Sequence, residues 1–310
     1  MITFDKLKIV ASMMAVEVCD KNRFETIEKG GVITSMKFYQ KHPYLLMIKV
    51  DYENTEVVIE FSGKVLGRDY PKLISSETIV QCFDAINAIG IIRMDIDAMM
   101  DADVVKCDVT KDIHISDIPR MTQYVRNHIS NYQQFLCSKL RNGNLVVEKN
   151  VVSRKTKKRM TIYDKGKEMQ RAENRAFVEE NGLENAFSGV CRFELNLDTK
   201  EQIRKALHIH NTKLTSVLSS ASNPIDEFID CIVPSENESV NLPDKKTYVA
   251  MLILKDCDYD LEKVEAKMRE FYRRGTSITA LMKPFRELLQ EMGDKGDEDL
   301  WSDVRRQLKA

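Results

Sequence analysis

The stretch Thr161-Ile162-Tyr163-Asp164-Lys165-Gly166-Lys167-Glu168 lies near the middle of the chain, and the interpretation of the fold depends on it. If residues 159–163 form a strand, Arg159, Thr161 and Tyr163 share one face, and the apolar residues between them share the other. A phenol would then stand on the polar face of a sheet, two residues before the cationic Lys165.

A later segment repeats this alternation of polar and apolar residues. Within 189–197, Arg192, Glu194 and Asn196 fall on one face, and the intervening residues are apolar. A strand here would add a carboxylate to the polar face that carries Tyr163.

A third alternating segment precedes both and covers residues 91–98. As a strand it places Arg93, Asp95 and Asp97 on one side. Two carboxylates at this spacing form a hard, oxygen-rich site that suits Mg²⁺ or Mn²⁺. The alternative is an ordinary amphipathic strand in which Asp95 pairs with Arg93.

The three segments together predict an α+β fold. We expect an antiparallel sheet with helices on its apolar face, which leaves the polar face as an open floor. The predicted core domain covers residues 1–235, and a small all-helical domain covers 236–310. The polar, proline-bounded stretch 234–243 marks the boundary between them.

Composition limits the class of protein. The 310 residues include 31% charged side chains and carry a formal net charge of −1, so any surface for nucleic acid has to be local. Seven scattered cysteines without a C-x-x-C pair are typical of a reducing compartment. We find no apolar run of membrane-spanning length, so we predict a cytoplasmic protein without a membrane partner.

A basic run leads into the tyrosine segment. It is either a solvated loop or a phosphate-binding surface, and its position beside Tyr163 favours phosphate contact. The predicted contacts in this run are Arg154, Lys155, Lys157, Lys158 and Arg159.

The chemistry available to such a polar face is metal-assisted transesterification. A tyrosine is a weak nucleophile until its proton is removed or its anion is stabilised. A divalent ion held by carboxylates polarises a phosphate, and Lys165 is placed to stabilise the tyrosinate. The products would be a 5′-phosphotyrosine and a free 3′-hydroxyl.

The motifs Arg93-Met94-Asp95-Ile96-Asp97, Tyr163-Asp164-Lys165-Gly166-Lys167-Glu168 and Arg192-Phe193-Glu194-Leu195 resemble those of rolling-circle initiators of filamentous phages, the gene II protein family. They are similar, more loosely, to the initiators of staphylococcal plasmids. The resemblance implies a nickase that acts on plasmid or phage origin DNA, with Tyr163 as covalent nucleophile and Lys165 as its partner. It also implies a metal site that includes Asp95, Asp97 and Glu194.

Two further functional interpretations remain. One is a non-catalytic origin- or operator-binding protein. The other is a conjugative relaxase that binds its metal through His208 and His210, although these residues follow a predicted helix and not a central strand. The absence of a P-loop sequence favours a separate host helicase, alongside a host polymerase.

The final third of the chain is predicted to be helical. A helix-turn-helix there would bind duplex DNA through Arg273 and Arg274, and Arg93 and Arg192 are predicted contacts in the core domain. The alternative is a helical bundle that mediates packing or a homodimer.

Overall fold

The computed structural model describes residues 2–40, 46–129, 135–140, 143–151, 153, 157–233, 245–257, 259–271, 277–292 and 296–310. The strands are β1 Phe4–Ser12, β2 Val16–Val18, β3 Glu25–Lys29, β4 Val32–Gln40, β5 Leu46–Asp51, β6 Glu56–Ser62, β7 Ile92–Met94, β8 Asp103–His114, β9 Phe135–Lys139, β10 Leu145–Lys149, β11 Arg159–Asp164 and β12 Val190–Leu197. The helices are α1 Ile79–Ala88, α2 Ile96–Met99, α3 Ile118–His128, α4 Lys165–Met169, α5 Ala172–Asn181, α6 Lys200–Leu207, α7 Leu214–Leu218, α8 Pro224–Ile232, α9 Lys245–Asp256, α10 Leu261–Phe271, α11 Ile278–Met292 and α12 Gly296–Lys309. Short 3-10 segments lie at Met13–Ala15, Lys21–Arg23 and Gly63–Lys72.

Ten strands form one antiparallel sheet in the order β3-β4-β5-β6-β1-β8-β12-β11-β10-β9. The strands β2 and β7 form a separate two-stranded sheet. The combination of a large antiparallel sheet with many helices confirms the α+β class.

The alternation predicted for the two central motifs is present. In the register of β8, β12 and β11, Asp112, Arg192 and Tyr163 lie side by side, and Glu194 occupies the next row on the same face. The residues between them on β11 and β12, such as Ile162 and Phe193, are fully buried in the main core. The period of two therefore separates a polar and an apolar face in the middle of the sheet.

The predicted helical domain does not form one body. Helices α9, α10 and α11 share a small core of their own, which includes Leu254, Val264 and Met282. Helix α12 belongs instead to the main core through Val304 and Leu308. Its last turn is also tied to β8, because Lys111 Nζ donates to the carbonyl of Leu308 at 2.8 Å. A single boundary at 235/236 therefore does not describe the packing.

The polar face is not an open floor around Tyr163, which corrects the sequence-based expectation. The chain that follows Tyr163 folds back over this face through α4 and α5 and meets Tyr70 of the 3-10 segment. The side chains of this cover form their own apolar cluster with the residues Tyr70, Leu73, Met169, Phe177, Leu183, Phe187 and Val190. Gly166 permits the close approach, since a Cβ there would lie 2.8 Å from the carbonyl oxygen of Phe187.

Two sequence-based elements are shorter than predicted. The strand expected over 91–98 ends at Met94, because Asp95 adopts the N-cap position of α2. Apolar spacing from Met121 to Leu140 predicts one long helix over 116–140, but the helix ends at His128 and residues 135–139 form β9 instead. In both places, pairing and capping outweigh the local hydrophobic spacing.

Candidate active site

The hydroxyl of Tyr163 donates a hydrogen bond of 2.5 Å to Oε1 of Glu194. Both groups are largely enclosed, and Tyr163 is only 7% exposed. Burial, followed by the negative charge of Glu194, raises the pKa of Tyr163 well above its ordinary value. Burial, followed by the charge of Asp5, raises the pKa of Glu194 to about 7. The phenol is therefore protonated at neutral pH and faces a carboxylate that titrates near neutrality.

Arg192 is the central cation of the site and is fully buried. It forms two parallel hydrogen bonds of 2.7 Å with Asp112, and its Nη1 lies 2.6 Å from Oδ1 of Asp5. The same nitrogen donates to the hydroxyl of Tyr70 at 2.9 Å and lies 3.9 Å from Oε1 of Glu194. Arg192 thus neutralises two carboxylates, Asp5 and Asp112, beside the phenol. It has no exposed surface for DNA, which corrects its predicted role as a DNA contact.

Lys165 begins α4 and is 2% exposed. Its Nζ donates to the hydroxyl of Tyr70 and to Oε2 of Glu168, each at 2.7 Å. The Nζ lies 5.8 Å from the centre of the Tyr163 ring, so its nearest phenol oxygen belongs to Tyr70. Lys165 is therefore beside the predicted nucleophile but bonded to a different tyrosine.

Two further buried side chains hold Glu168 in place. Lys64 Nζ donates to the side-chain oxygen of Asn174 at 2.8 Å, and Asn174 Nδ2 donates to Oε1 of Glu168 at 2.9 Å. Burial alone would raise the pKa of Glu168, but Lys165 and then Lys64 outweigh that effect and lower it. Glu168 remains the ionised partner of Lys165.

The two acids nearest Tyr163 differ in electrostatic environment. Burial tends to raise the pKa of Asp5, but the charges of Arg192 and Lys165 outweigh it and lower that pKa. Glu194 lies farther from Arg192, at 3.9 Å, so burial and the charge of Asp5 outweigh the arginine and the pKa of Glu194 rises instead. Asp5 is thus the acid that stays ionised, and Glu194 is the acid that can accept a proton near neutral pH.

Solvent reaches the site from the carboxylate side. The side chains of Asp5 and Asp112 each keep 20% exposure, and Glu194 keeps 16%. An incoming ligand would therefore meet these carboxylates before it met the phenol ring. Carboxylates repel a phosphate unless a cation lies between them.

The predicted metal ligands Asp95 and Asp97 are not brought to this site. They lie at the start of α2, next to the two-stranded sheet, and Asp95 accepts a hydrogen bond from the backbone N–H of Ala98 at 3.2 Å. In the described part of the chain, no cluster of three or more His, Cys, Asp or Glu side chains has the arrangement of a metal site. The structure therefore does not bring the predicted set together, because Asp95 and Asp97 belong to α2 and Glu194 belongs to β12.

The predicted DNA contacts are dispersed. Arg93 is 74% exposed and pairs with Glu17 across the small sheet. Lys157 pairs with Glu148 at 3.1 Å, whereas Lys158 and Arg159 are exposed beside it. The remaining four predicted contacts, Arg154, Lys155, Arg273 and Arg274, lie outside the described residues.

The two histidines of the relaxase alternative follow the end of α6, as the sequence predicts. His208 adopts a left-handed backbone conformation with φ of 53°, and its Nε2 lies 3.1 Å from the carboxylate of Glu227. The ion pair of His208 and Glu227 is exposed, and both of its residues follow Tyr163 at a long distance in the sequence.

Sequence reasoning missed Asp5, Tyr70 and Asp112. A weaker signal for Asp112 is present, because Asp108, Thr110 and Asp112 share one face of β8 with Val109 and Ile113 on the other, although Lys111 interrupts the apolar face. The other two carry no periodic signal that distinguishes them from ordinary surface residues. Their roles come from contacts with Arg192, which is distant in sequence.

Searches against protein-family models and curated protein sequences find no significant match. Within the described residues, no helix has both the length and the apolar character needed to cross a membrane.

Proposed function

We propose that this chain is a replication initiator that nicks one strand at a plasmid or phage origin through Tyr163. The observation that supports the proposal most is the hydrogen bond between the phenol of Tyr163 and a carboxylate that titrates near pH 7. A structural tyrosine needs only some hydrogen-bond partner. A nucleophilic tyrosine needs a partner that can take its proton, and Glu194 has that property.

In the proposed reaction, the oxygen of Tyr163 attacks the scissile phosphorus while its proton passes to Glu194. The bond from phosphorus to the 3′-oxygen breaks, and that oxygen takes up a proton to leave a free 3′-hydroxyl. The DNA remains attached through a 5′-phosphotyrosine. The positive charges of Lys165 and Arg192 favour the phenolate as it forms.

A divalent ion, Mg²⁺ or Mn²⁺, is part of the proposal. Asp5 and Glu194 are the carboxylates proposed to hold it, since both acidic side chains belong to the site and both reach solvent. Burial, followed by the negative charge of Asp5, raises the pKa of Glu194, and a bound cation would offset the charge of Asp5. When bound, the ion would polarise the phosphate and offset its negative charge.

A second candidate function is supported by the enclosure of Tyr163. A nucleophile has to meet the phosphorus atom, yet this phenol lies beneath the apolar cover formed by α4, α5 and Tyr70. A protein that binds origin or operator DNA without cleaving it would keep Tyr163 only as part of the buried network. The nickase requires the cover to move, whereas the binding protein does not.

A nicking assay separates the two candidates. Labelled single-stranded oligonucleotides that tile the replicon carrying the gene are incubated with the full chain and Mn²⁺ or Mg²⁺. The nickase predicts a metal-dependent covalent adduct that survives denaturation and disappears in Tyr163→Phe. Tyr124→Phe, on α3, is the matched control and should retain the adduct. Specific binding without an adduct in any divalent ion would support the second candidate instead.

The proposed partners follow from this reaction. They are origin DNA, a host helicase that unwinds behind the nick and a host polymerase that extends the 3′-hydroxyl. The helices α10 and α11 form the proposed duplex-binding unit, because they are consecutive in the chain and share one small core.

A further inference from the structure

The strand β3 forms one edge of the ten-stranded sheet in the part of the chain that the structure describes. All five of its residues are exposed, in the sequence Glu25-Thr26-Ile27-Glu28-Lys29. Three large apolar side chains of its hairpin are also exposed: Ile27 at 48%, Val32 at 65% and Ile33 at 41%. An edge strand with exposed apolar side chains is a template for pairing with another strand.

Two residues of β3 have backbone N–H and C=O groups that are oriented for such pairing. The carbonyl of Ile27 points toward β4, because it accepts a hydrogen bond of 3.2 Å from Oγ1 of Thr34. In an antiparallel strand, the backbone groups of successive residues point in opposite directions. The N–H and C=O groups of Thr26 and Glu28 therefore point outward. The register irregularity lies in β4, where Thr34 has no partner residue in the β3 ladder. The backbone groups of β3 therefore continue to alternate in direction through this position.

The charges of β3 are complementary to those of the same strand in a second copy. In an antiparallel pair centred on Ile27, Glu25 of each copy faces Lys29 of the other, and Ile27 faces Ile27. This register also joins the outward groups of Thr26 to those of Glu28. The three side chains on the shared face fall in non-hydrogen-bonded pairs, in which opposite side chains approach most closely.

Neighbouring registers lack this match. A two-fold centred on Thr26 places Glu25 against Ile27, and one centred on Glu28 places the two Glu28 carboxylates against each other. Charges on an edge strand usually prevent association, but the order of charges in β3 permits one register.

We propose that β3 is a homodimerisation edge, at which two copies of this chain pair antiparallel about Ile27 and join their sheets into one. The inference is independent of the proposed nicking activity. Lys29 forms an exposed ion pair with Glu53 at 3.2 Å in the single chain. Exposed pairs contribute little to stability, so Lys29 can exchange this partner for Glu25 of the second copy.

Sedimentation velocity of the full chain over a roughly hundredfold range of concentration tests the proposal. The wild type should pass from monomer to dimer. Glu25→Lys places like charges in opposition and should weaken the dimer by at least about tenfold, whereas Glu25→Lys combined with Lys29→Glu should restore it. Glu180→Lys, an equal charge change on the exposed end of α5, is the control and should leave the dimer unchanged.

A second variant tests the backbone contribution. Thr26→Pro removes an N–H that points away from β4, so the fold should persist while the dimer weakens. Circular dichroism and thermal unfolding confirm that the fold is kept. A wild type that stays monomeric throughout the concentration range would overturn the proposal. A dimer that the charge exchange fails to restore would do so as well.

Discussion

The segments at Tyr163 and at Asp95 look alike in sequence and differ in structure. Both alternate polar and apolar residues, with Arg159, Thr161 and Tyr163 in one segment and Arg93, Asp95 and Asp97 in the other. The strand β11 is paired on both sides, by β10 and by β12. The strand β7 has one partner and only three residues, so the chain leaves the sheet at Asp95 and begins a helix. Alternation therefore predicts which face of the sheet a side chain occupies only where neighbouring strands continue the pairing.

The same difference separates the electrostatics of the two segments. Around Tyr163, charges are buried and each has a specific partner, which couples their protonation states. Around Asp95, the charged side chains are exposed, and Arg93 forms only a surface pair. Equivalent substitutions in the two segments should therefore have very different effects.

The largest difference is expected between their arginines. Arg192→Met leaves Asp5 and Asp112 without their buried cation and should lower the free energy of unfolding by about 3–5 kcal/mol. Arg93→Met removes an exposed pair and should change it by less than about 0.5 kcal/mol. Urea unfolding at pH 7 measures both. Equal effects would mean that the network around Arg192 contributes no more than a surface pair.

A smaller effect is expected from the pH dependence of Glu194. Its pKa is about 7 in the folded chain, above the ordinary value of 4.5. Between these values the unfolded chain loses the proton that the folded chain keeps, so this group lowers the stability as the pH rises. Glu194→Gln cannot lose a proton there. Relative to wild type, the variant should gain up to about 3 kcal/mol between pH 4.5 and pH 8.

Glu60 provides a control of opposite sign for the same urea measurements. Burial would raise its pKa, but the hydrogen bond from Lys6 and the charges around it outweigh burial and lower it. The ionised group therefore stabilises the fold above the ordinary pKa, and this contribution is lost as the pH falls. Glu60→Gln should become less stable relative to wild type as the pH rises from acid. A Glu194→Gln curve with that same sign would contradict the assignment of Glu194 as the proton acceptor.

The sequence predicts those side chains of the site whose face follows from alternation along a single strand. Tyr163 and Glu194 were placed on one face from alternation alone, and their strands pair in the structure. The β-branched and aromatic residues over 33–39, 45–52 and 55–61 also predict strands, and these correspond to β4, β5 and β6.

The contacts that enclose the site depend on tertiary structure. Asp5 lies 187 residues from Arg192, and Tyr70 lies 95 residues from Lys165. No local pattern connects such pairs. The apolar cover was missed for the same reason, because the residues 165–189 have no period that reveals which face of the sheet they cover.

The smallest effect distinguishes the two aspartates that were predicted to bind metal. Asp95 caps α2 through the N–H of Ala98, so Asp95→Ala should lower the free energy of unfolding by about 1 kcal/mol. Asp97 lies in the first turn of the same short helix with its side chain exposed, and Asp97→Ala should have a smaller effect. Neither substitution should change the affinity for Mn²⁺ measured by calorimetry, since both residues lie apart from Glu194. A loss of Mn²⁺ binding in both variants would restore this segment to the metal site and would require α2 to approach β12 in the active form.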